Sequence, residues 1–336
     1  MSRELLMPRL SKVAMLIVLF GLLPALLAWL DKGYLYQVVT VTLIFALLAG
    51  SLHLITGVAG LLHLGHAAFY GIGAYIAALL GSDYGIGFTI GLPLAGLGAA
   101  LIAFIVALPT MRLVSIYFAV ATLGIGQMVH LVLQNWVEVT KGPNGVLLFS
   151  GIDLFGFTID DAIGTYFVVA AIVSLSIWVI HRLSHSYYGN ALRSLREDDQ
   201  CADAIGINTT RLKMEVFTIA SFFAGIAGAL WAYTTQYVSP ADFDFAESIL
   251  ILAMVVVGGL GSLPGAIIGA VLLILLPEVL RGVGDIRNII VGGVMFASIL
   301  FLPKGLFGEV SALNFVRRQL DSAWRDAPQK RKVGWK

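Results

Sequence analysis

Long uninterrupted apolar runs constrain the fold of this chain more than any other feature of its sequence. Residues 13–30, 36–54 and 165–181 each approach the roughly 20 apolar residues with which a helix crosses ~30 Å of hydrocarbon. Only 12% of the 336 residues are charged, whereas about a quarter is usual in a soluble domain. A β-barrel would show segments of about ten residues with alternating hydrophobicity, but these runs are continuous. The sequence therefore predicts an all-α fold, a polytopic transmembrane helical bundle.

Breaks at glycine, proline and charged residues divide the chain into about ten candidate spans. They are residues 13–30, 36–54, 59–80, 87–110, 113–134, 165–181, 213–234, 247–261, 264–281 and 287–303. On this division residues 1–12 form the N-terminus, residues 13–303 the transmembrane domain and residues 304–336 a basic tail. The first run follows basic residues as a signal peptide does, but it is long and lacks a cleavage site, so we expect a retained helix.

The distribution of basic residues predicts the orientation of the bundle. With a cytoplasmic N-terminus, all of the 21 lysines and arginines except Lys32, Lys141, Arg281 and Arg287 fall in inner segments. Inner segments of membrane proteins carry such an excess of positive charge. We therefore expect both termini in the cytoplasm, with the basic tail either on anionic lipid headgroups or disordered.

A charged stretch at residues 196–213 separates two apolar runs. Its charged residues are Arg196, Glu197, Asp198, Asp199, Asp203, Arg211 and Lys213. One charge at the bilayer centre costs ~3 kcal/mol, so this stretch must lie outside the hydrocarbon. Acidic residues 197–199 suit a helix N-terminus, Gly206 suits a helix end, and Asn208 suits the start of the next helix. The pattern predicts a short helix that needs something to pack against, either another subunit or the surface of its own protein.

Three separated stretches carry a resemblance to a known family. Ala202, Ala204 and Gly206, followed by Asn208, resemble the cytoplasmic coupling segment of ABC-importer permeases, which docks into a groove of the ATPase subunit. The stretches GVAGLLHLGHAAFYGIGAYIAALL at 57–80 and ESILILAMVVVGGLGSLPGAIIGAVLLILLPEVLR at 247–281 resemble the LivM-type branched-chain amino acid permeases, as does KGPNGV at 141–146. The likeness spans roughly residues 37–308. His63 departs from it, because the family commonly has serine there, and this departure leaves the substrate open.

The resemblance implies a type II-like ABC importer permease, a transport subunit rather than an enzyme, in a bacterial inner membrane. Its implied substrates are branched-chain amino acids first, and other amino acids, urea, short amides or aromatic acids as alternatives. The implied partners are a homologous permease of the LivH type, two cytoplasmic ATPases of the LivG and LivF type, and a periplasmic substrate-binding protein. ATP-Mg would bind the ATPases, and this chain would hold no cofactor. Within residues 182–212, the implied coupling residues are Arg196, Glu197, Asp198, Ala202, Ala204, Gly206 and Asn208.

The glycine-rich stretch 57–80 predicts either close helix packing or a translocation path. Small residues let helix backbones approach one another in lipid. Gly65 and His66 interrupt an apolar span, which is tolerated at membrane depth only where protein or a water-filled cavity covers the backbone. His66 and Tyr70 lie four residues apart on one helix face. Gly65, His66, Tyr70 and Gly71 are therefore our candidate path residues, with pure packing as an equal alternative.

A second glycine-rich stretch, residues 256–265, joins two predicted spans almost without a loop. Its candidate turn residues are Gly258, Gly259, Gly261, Pro264 and Gly265. A phosphate-binding loop would end in Gly-Lys-Ser or Gly-Lys-Thr, and this stretch does not. We therefore interpret it as a tight cytoplasmic turn, and we place ATP hydrolysis in another subunit.

The remaining polar residues give weaker signals. Gln127, His130 and Gln134 share a face near the outer end of the fifth span, as substrate or docking contacts or as an interfacial polar patch. Residues 239–242, Ser-Pro-Ala-Asp, predict a short helix start. Histidines 53, 63 and 66 lack a nearby cysteine or carboxylate, so we expect no metal site and no catalytic residues.

Three classes of function are compatible with a bundle of this kind. Coupled carriers generally need ionisable groups in mid-span, and membrane enzymes need convergent His, Asp or Glu clusters; neither feature is evident in these spans. This favours a subunit driven from outside the membrane over a stand-alone secondary transporter, a channel or an enzyme. The net charge of +1 gives no reason to expect a nucleic-acid partner. We expect membrane lipid to surround the bundle.

Overall fold

The computed structural model describes residues 33–111, 113, 115–148, 151–154, 157–159, 161–280, 292–293 and 296. The predicted N-terminus, the predicted first span and the predicted basic tail lie outside these residues. So does the predicted tenth span, apart from three of its positions.

The described part is built mainly from helices, which confirms the predicted all-α membrane bundle. In chain order the helices are α1 (Gly33–Leu52), α2 (His66–Tyr84), α3 (Phe88–Thr110), α4 (Ser115–Asn135), α5 (Val137–Thr140), α6 (Ala162–Ser184), α7 (Tyr187–Glu197), α8 (Asp199–Ala204), α9 (Thr209–Thr235), α10 (Phe245–Gly258) and α11 (Leu263–Val279). A π-helical stretch, His53–Val58, extends α1. Each predicted span within the described residues overlaps a helix.

Among the described residues, five helices are long and apolar enough to cross a membrane. They cover Tyr34–Val58, Phe88–Thr110, Ile116–Asn135, Ala162–Ser184 and Thr209–Thr235. α10 and α11 are apolar but shorter. The predicted total of ten crossings stays a prediction.

The centre of the bundle is α9, which packs against α2 and α3. Gly73 of α2 and Gly225 of α9 meet backbone to backbone, because a Cβ atom on Gly73 would lie 2.3 Å from the Gly225 carbonyl oxygen. A Cβ atom on Gly228 would lie 2.1 Å from the Tyr70 carbonyl oxygen. Such contacts give helices in lipid the van der Waals attraction that holds them together. The glycines therefore set how closely α2 and α9 approach.

α10 and α11 form a helical hairpin with a turn at residues 259–262. Gly259 and Gly261 have φ angles of 124° and 93°, which glycine adopts without steric cost. Ser262 caps α11 by accepting a hydrogen bond from the Gly265 N–H at 3.2 Å, and Pro264 occupies the first turn. The turn is therefore specified by its own residues.

The same hairpin packs tightly along its two helices. A Cβ atom on Gly258 would lie 2.0 Å from the Gly265 carbonyl oxygen. The turn lies near the C-terminal end of α6, since a Cβ atom on Gly50 would lie 3.5 Å from Leu263 and 3.9 Å from Ile180. It thus shares an end of the bundle with α7 and α8.

Short strands cover the other end, before α6. β1 (Val146–Leu147) pairs antiparallel with β4 (Tyr237–Val238), and β2 (Ile152–Leu154) pairs antiparallel with β3 (Phe157–Ile159). A 3₁₀ helix, Pro240–Phe243, follows β4 and begins with a capping box. The Ser239 N–H donates to the Asp242 carboxylate at 3.1 Å. The predicted short helix start is confirmed.

Candidate functional site

Two short helices, not one, connect α6 to α9. The first, α7, is amphipathic and buries Gly189, Leu192 and Leu195. Ser186 caps it by accepting a hydrogen bond from the Gly189 N–H at 3.4 Å. This helix was not predicted, although Tyr188, Leu192 and Leu195 recur at the spacing of one helix face.

The second helix, α8, begins at the predicted acidic residues. The Asp198 carboxylate accepts hydrogen bonds from the N–H groups of Cys201 and Gln200, both at 2.9 Å. These bonds, that from Cys201 first, lower the pKa of the Asp198 carboxyl. Glu197 was predicted to stand at the same helix start, but it is the last residue of α7. The chain turns between Glu197 and Asp199.

The predicted caps at the end of α8 and the start of α9 are confirmed. Gly206 has a φ angle of 90°, and its N–H donates to the Asp203 carbonyl oxygen at 2.9 Å. The Asn208 side chain accepts a hydrogen bond from the Arg211 N–H at 2.9 Å. These short-range bonds fix the direction in which the chain re-enters the bundle.

α8 presents one side to the protein and one side to solvent. Ala202 is 2% exposed, and Lys213 of α9 forms an ion pair with Asp199. On the other side Ala204 is exposed and Ile205 is 75% exposed. The outer face is therefore apolar at its tip.

The backbone leaves its helical path between residues 59 and 65. The predicted third span, 59–80, was wrong over this part, because α2 begins only at His66. Gly60 has a φ angle of 74°, which is incompatible with a helix. We call residues 59–65 the unwound segment.

Two other helices hold the end of the unwound segment. The Leu64 N–H donates to the Thr122 hydroxyl of α4 at 3.2 Å. The Ala67 N–H donates to the Ser248 hydroxyl of α10 at 3.1 Å. A Cβ atom on Gly65 would lie 2.2 Å from the Thr122 carbonyl oxygen, so α4 crosses directly over this residue. Protein thus covers the freed backbone groups at this end of the segment, as hydrocarbon surroundings require.

The other three candidate path residues are buried in the bundle. His66 Nε2 lies 2.8 Å from the Ser51 hydroxyl of α1. The Tyr70 ring lies edge-on to the Phe243 ring, with centroids 4.9 Å apart, and a Cβ atom on Gly71 would lie 2.8 Å from Phe243 Cγ. Their burial supports the packing alternative, and a role in translocation stays a prediction.

A narrow crevice, too tight to hold a water molecule, lies beside the unwound segment, between α2, α4 and the start of α10. Its lining residues are Leu64, Ala68, Leu123, Gly126, Gln127, Phe243, Asp244, Phe245 and Ser248. Gln127 belongs to the polar face predicted on α4, and it borders the crevice, whereas His130 and Gln134 are not among the lining residues. The structure thus brings Gln127, Asp244 and Ser248 together, a combination that sequence spacing could not indicate.

His63 stands in an aromatic cluster within the unwound segment. Its ring centroid lies 5.0 Å from that of Phe217 and 5.4 Å from that of His66. Both of its ring nitrogens are buried and have no hydrogen-bond partner among the described residues. His63, at which the sequence departs from the usual serine of the family, is therefore surrounded mainly by aromatic rings.

A protein-family model described as the branched-chain amino acid transport system permease component matches residues 34–301. The chain belongs to this family. Apart from Gly33, the first residue of α1, the matched range contains all eleven helices described above, including the connection α7–α8 and the unwound segment.

Relatives with curated names agree with the family. The chain is 38% identical to the high-affinity branched-chain amino acid transport system permease protein LivM of Salmonella typhimurium, over 88% of this chain and 76% of the relative. It is 37% identical to LivM of Escherichia coli over the same shares. It is 28% identical to the permease protein LivH of Escherichia coli, over 70% of this chain and 81% of that protein. A comparison with solved structures finds no significant match.

Proposed function

We propose that this chain is the transmembrane permease subunit of an ATP-binding-cassette importer that moves branched-chain amino acids into the cytoplasm. Family membership and the names of its relatives support the substrate class. The connection α7–α8 is the observation that supports coupling to an ATPase, because it projects a capped helix with an exposed apolar tip from one end of the bundle. The chain itself would carry no catalytic residues and no cofactor.

We place the protein in a bacterial inner membrane with both termini and the α7–α8 connection in the cytoplasm. The distribution of basic residues supports this orientation. The β-strand end of the bundle would then face the periplasm, where a substrate-binding protein would deliver the amino acid. A homologous permease of the LivH type would complete the path, which would run between the two permeases.

The ATPase surface that receives the connection would have a defined chemistry. Ile205 is an exposed apolar side chain, and the acidic residues Glu197, Asp198 and Asp203 are exposed near it in sequence. An apolar pocket with a basic rim is complementary to this arrangement. ATP-Mg would bind in two such ATPase subunits, and their closure would move the connection.

The test of this function uses the transporter assembled with its partner subunits in proteoliposomes. Ile205→Asp places a charge in the proposed apolar contact, and we expect the ATPases to dissociate and leucine uptake to fall to background. Thr210→Asp, at an exposed position five residues further along in the first turn of α9, is the matched control and should retain both properties. Normal uptake with coupled ATP hydrolysis in Ile205→Asp would contradict the coupling role.

A second measurement separates this function from a stand-alone carrier. Vesicles that contain this chain alone should take up no leucine when a proton or sodium gradient is imposed across their membrane. Gradient-driven uptake without ATPases would favour a secondary transporter or channel. Competition by valine, isoleucine, urea and short amides in the assembled system then identifies the substrate class.

A further inference from the structure

Arg196 makes a contact toward the interior that docking to a partner does not require. Its Nη1 atom donates a hydrogen bond to the Gly57 carbonyl oxygen at 2.8 Å, across 139 positions of sequence. Gly57 lies in the π-helical stretch that extends α1. The last turn of α7 is thus joined to the residues that immediately precede the unwound segment.

The chemistry of the Gly57 carbonyl explains why an arginine binds it. The last carbonyl groups of a helix have no partner within the helix, and they carry partial negative charge. A guanidinium group satisfies such a carbonyl and interacts favourably with the helix dipole. The contact therefore depends on the helix ending at this place.

A steric contact accompanies the hydrogen bond. A Cβ atom on Gly60 would lie 2.7 Å from Arg196 Cγ and 3.1 Å from Arg196 Cβ. Gly60 also has a φ angle of 74°, so its backbone both bends and approaches Arg196 closely. α7 consequently contacts the π-helical stretch through the Arg196 guanidinium and the start of the unwound segment through Arg196 Cβ and Cγ.

The far end of the unwound segment reaches the crevice. Leu64 lines the crevice and donates its N–H to Thr122, only four residues beyond Gly60. A displacement of α7 would therefore be passed through a few residues of non-helical backbone to the crevice wall. Backbone hydrogen bonds from the Ala59 and Leu61 N–H groups to the Leu54 and Ile55 carbonyl oxygens, at 3.2 and 3.0 Å, tie the start of the segment to the π-helical stretch, so the two would move together.

We propose that Arg196 is a positioning residue that links the α7–α8 connection to the unwound segment, so that movement of the connection changes the shape of the crevice. This proposal rests on the function proposed above. It gives Arg196, which is otherwise exposed, an inward contact with Gly57, and it leaves the contact with the ATPase to the exposed residues of α8. The crevice, in turn, becomes the part of this chain that responds to nucleotide.

The experiment follows the crevice directly in the assembled transporter. Gln127→Cys in a Cys201→Ser background provides one thiol at the crevice, and its rate of labelling by a maleimide is measured with and without a non-hydrolysable ATP analogue. We expect nucleotide to change the rate in this parent chain. Arg196→Gln should reduce that change by roughly tenfold, a usual size for coupling between two sites, while the ATPases still co-purify.

Three further variants distinguish linkage from a loss of structure. Arg193→Gln is the matched control, because Arg193 bonds only to Asn190 of its own helix at 3.0 Å among the contacts described, and it should behave as the parent. Arg196→Lys keeps a cationic donor and should restore part of the response. Gly60→Ala should reproduce the loss without any change of charge, since its Cβ atom displaces Arg196.

The outcomes separate the two proposals. An unchanged nucleotide response in Arg196→Gln, or loss of the ATPases from that variant, would overturn the linking role. Equal losses in Arg193→Gln and Arg196→Gln would also overturn it, because the effect would then follow general destabilisation of α7. No nucleotide response in a parent chain that keeps its ATPases and its leucine uptake would overturn the link and leave the proposed function standing, whereas a parent chain without ATP-driven uptake would contradict the proposed function itself.

Discussion

The centre of the bundle and the region around the unwound segment are held together by different kinds of contact. In the centre, α2 and α9 meet through glycine against backbone, as Gly73 and Gly225 do, with no polar group needed. Around the unwound segment, a hydrogen bond donated by Arg196 and two accepted by the Thr122 and Ser248 hydroxyls hold a backbone that has left its helix. Packed cores deform little, whereas a segment fixed by a few polar contacts can change partners. The first region suits a scaffold, and the second suits a moving part.

The largest loss of stability is expected when a glycine in the centre of the bundle is enlarged. Gly73→Val would force a side chain against the Gly225 carbonyl oxygen, which cannot rotate away. We expect a cost at or above the upper end of the roughly 1–3 kcal/mol that overpacking causes. The measurement is the temperature at which half of the detergent-solubilised protein ceases to be monodisperse.

The control for Gly73→Val is Gly124→Val. A Cβ atom on Gly124 meets nothing within 4 Å, although this glycine also lies in an apolar helix. The control should lose little stability. Equal losses at the two positions would show that helix propensity, not backbone contact, governs the centre.

Removal of one polar contact at the unwound segment should have a smaller effect on stability than the enlarged glycine. Ser248→Ala leaves the buried Ala67 N–H without its acceptor, at a cost of about 1–3 kcal/mol. Leucine uptake should fall more than the amount of folded protein does, because the segment is misplaced. Ser174→Ala is the matched control, since the Ser174 hydroxyl is buried without a hydrogen-bond partner in the described part of the chain. A similar loss in both variants would contradict the role given to Ser248.

The helix cap at the start of α9 should contribute less to stability than the Ser248 hydrogen bond does. Asn208→Ala removes the acceptor for the Arg211 N–H, and a lost cap of this kind costs about 1 kcal/mol. Asn208→Ser retains a capping oxygen and should behave as the parent. Thermal denaturation measures the difference, and a full loss of stability in Asn208→Ser would show that the amide group has another function.

The smallest expected effect is at His63. His63→Phe removes two buried nitrogens that lack partners among the described residues, within a cluster of aromatic rings. Replacement of unpaired polar groups by apolar atoms of similar shape is nearly neutral or stabilising. The melting temperature and leucine uptake should therefore be maintained. Lost uptake with normal stability would show that the imidazole acquires a partner during transport.

The apolar runs predict the helices well, because length and hydrophobicity decide which segments cross a membrane. The caps at Gly206, Asn208 and Ser239 are equally predictable, since each depends on residues within a few positions. The start of α2 at His66 is not, because the unwound segment depends on hydrogen bonds donated to the Thr122 and Ser248 hydroxyls, which are distant in sequence.

The candidate site follows the same division. The position of α7 was within reach of the sequence, because Tyr188, Leu192 and Leu195 mark one helix face. The inward contact of Arg196 was not, because its acceptor lies 139 positions away and becomes available only where a helix ends. Features that depend on neighbouring residues can be predicted from the sequence, whereas contacts between distant segments can be identified only once the fold is known.

The most direct test of the account is a cross-link from the tip of α8. Ile205→Cys in a Cys201→Ser background is treated, in membranes that contain the assembled transporter, with a short thiol-reactive cross-linker. We expect a covalent product between this chain and an ATPase subunit, and we expect its yield to change when ATP is added. Labelling of this cysteine by a membrane-impermeant reagent from the periplasmic side, with no cross-link to the ATPase, would contradict the account.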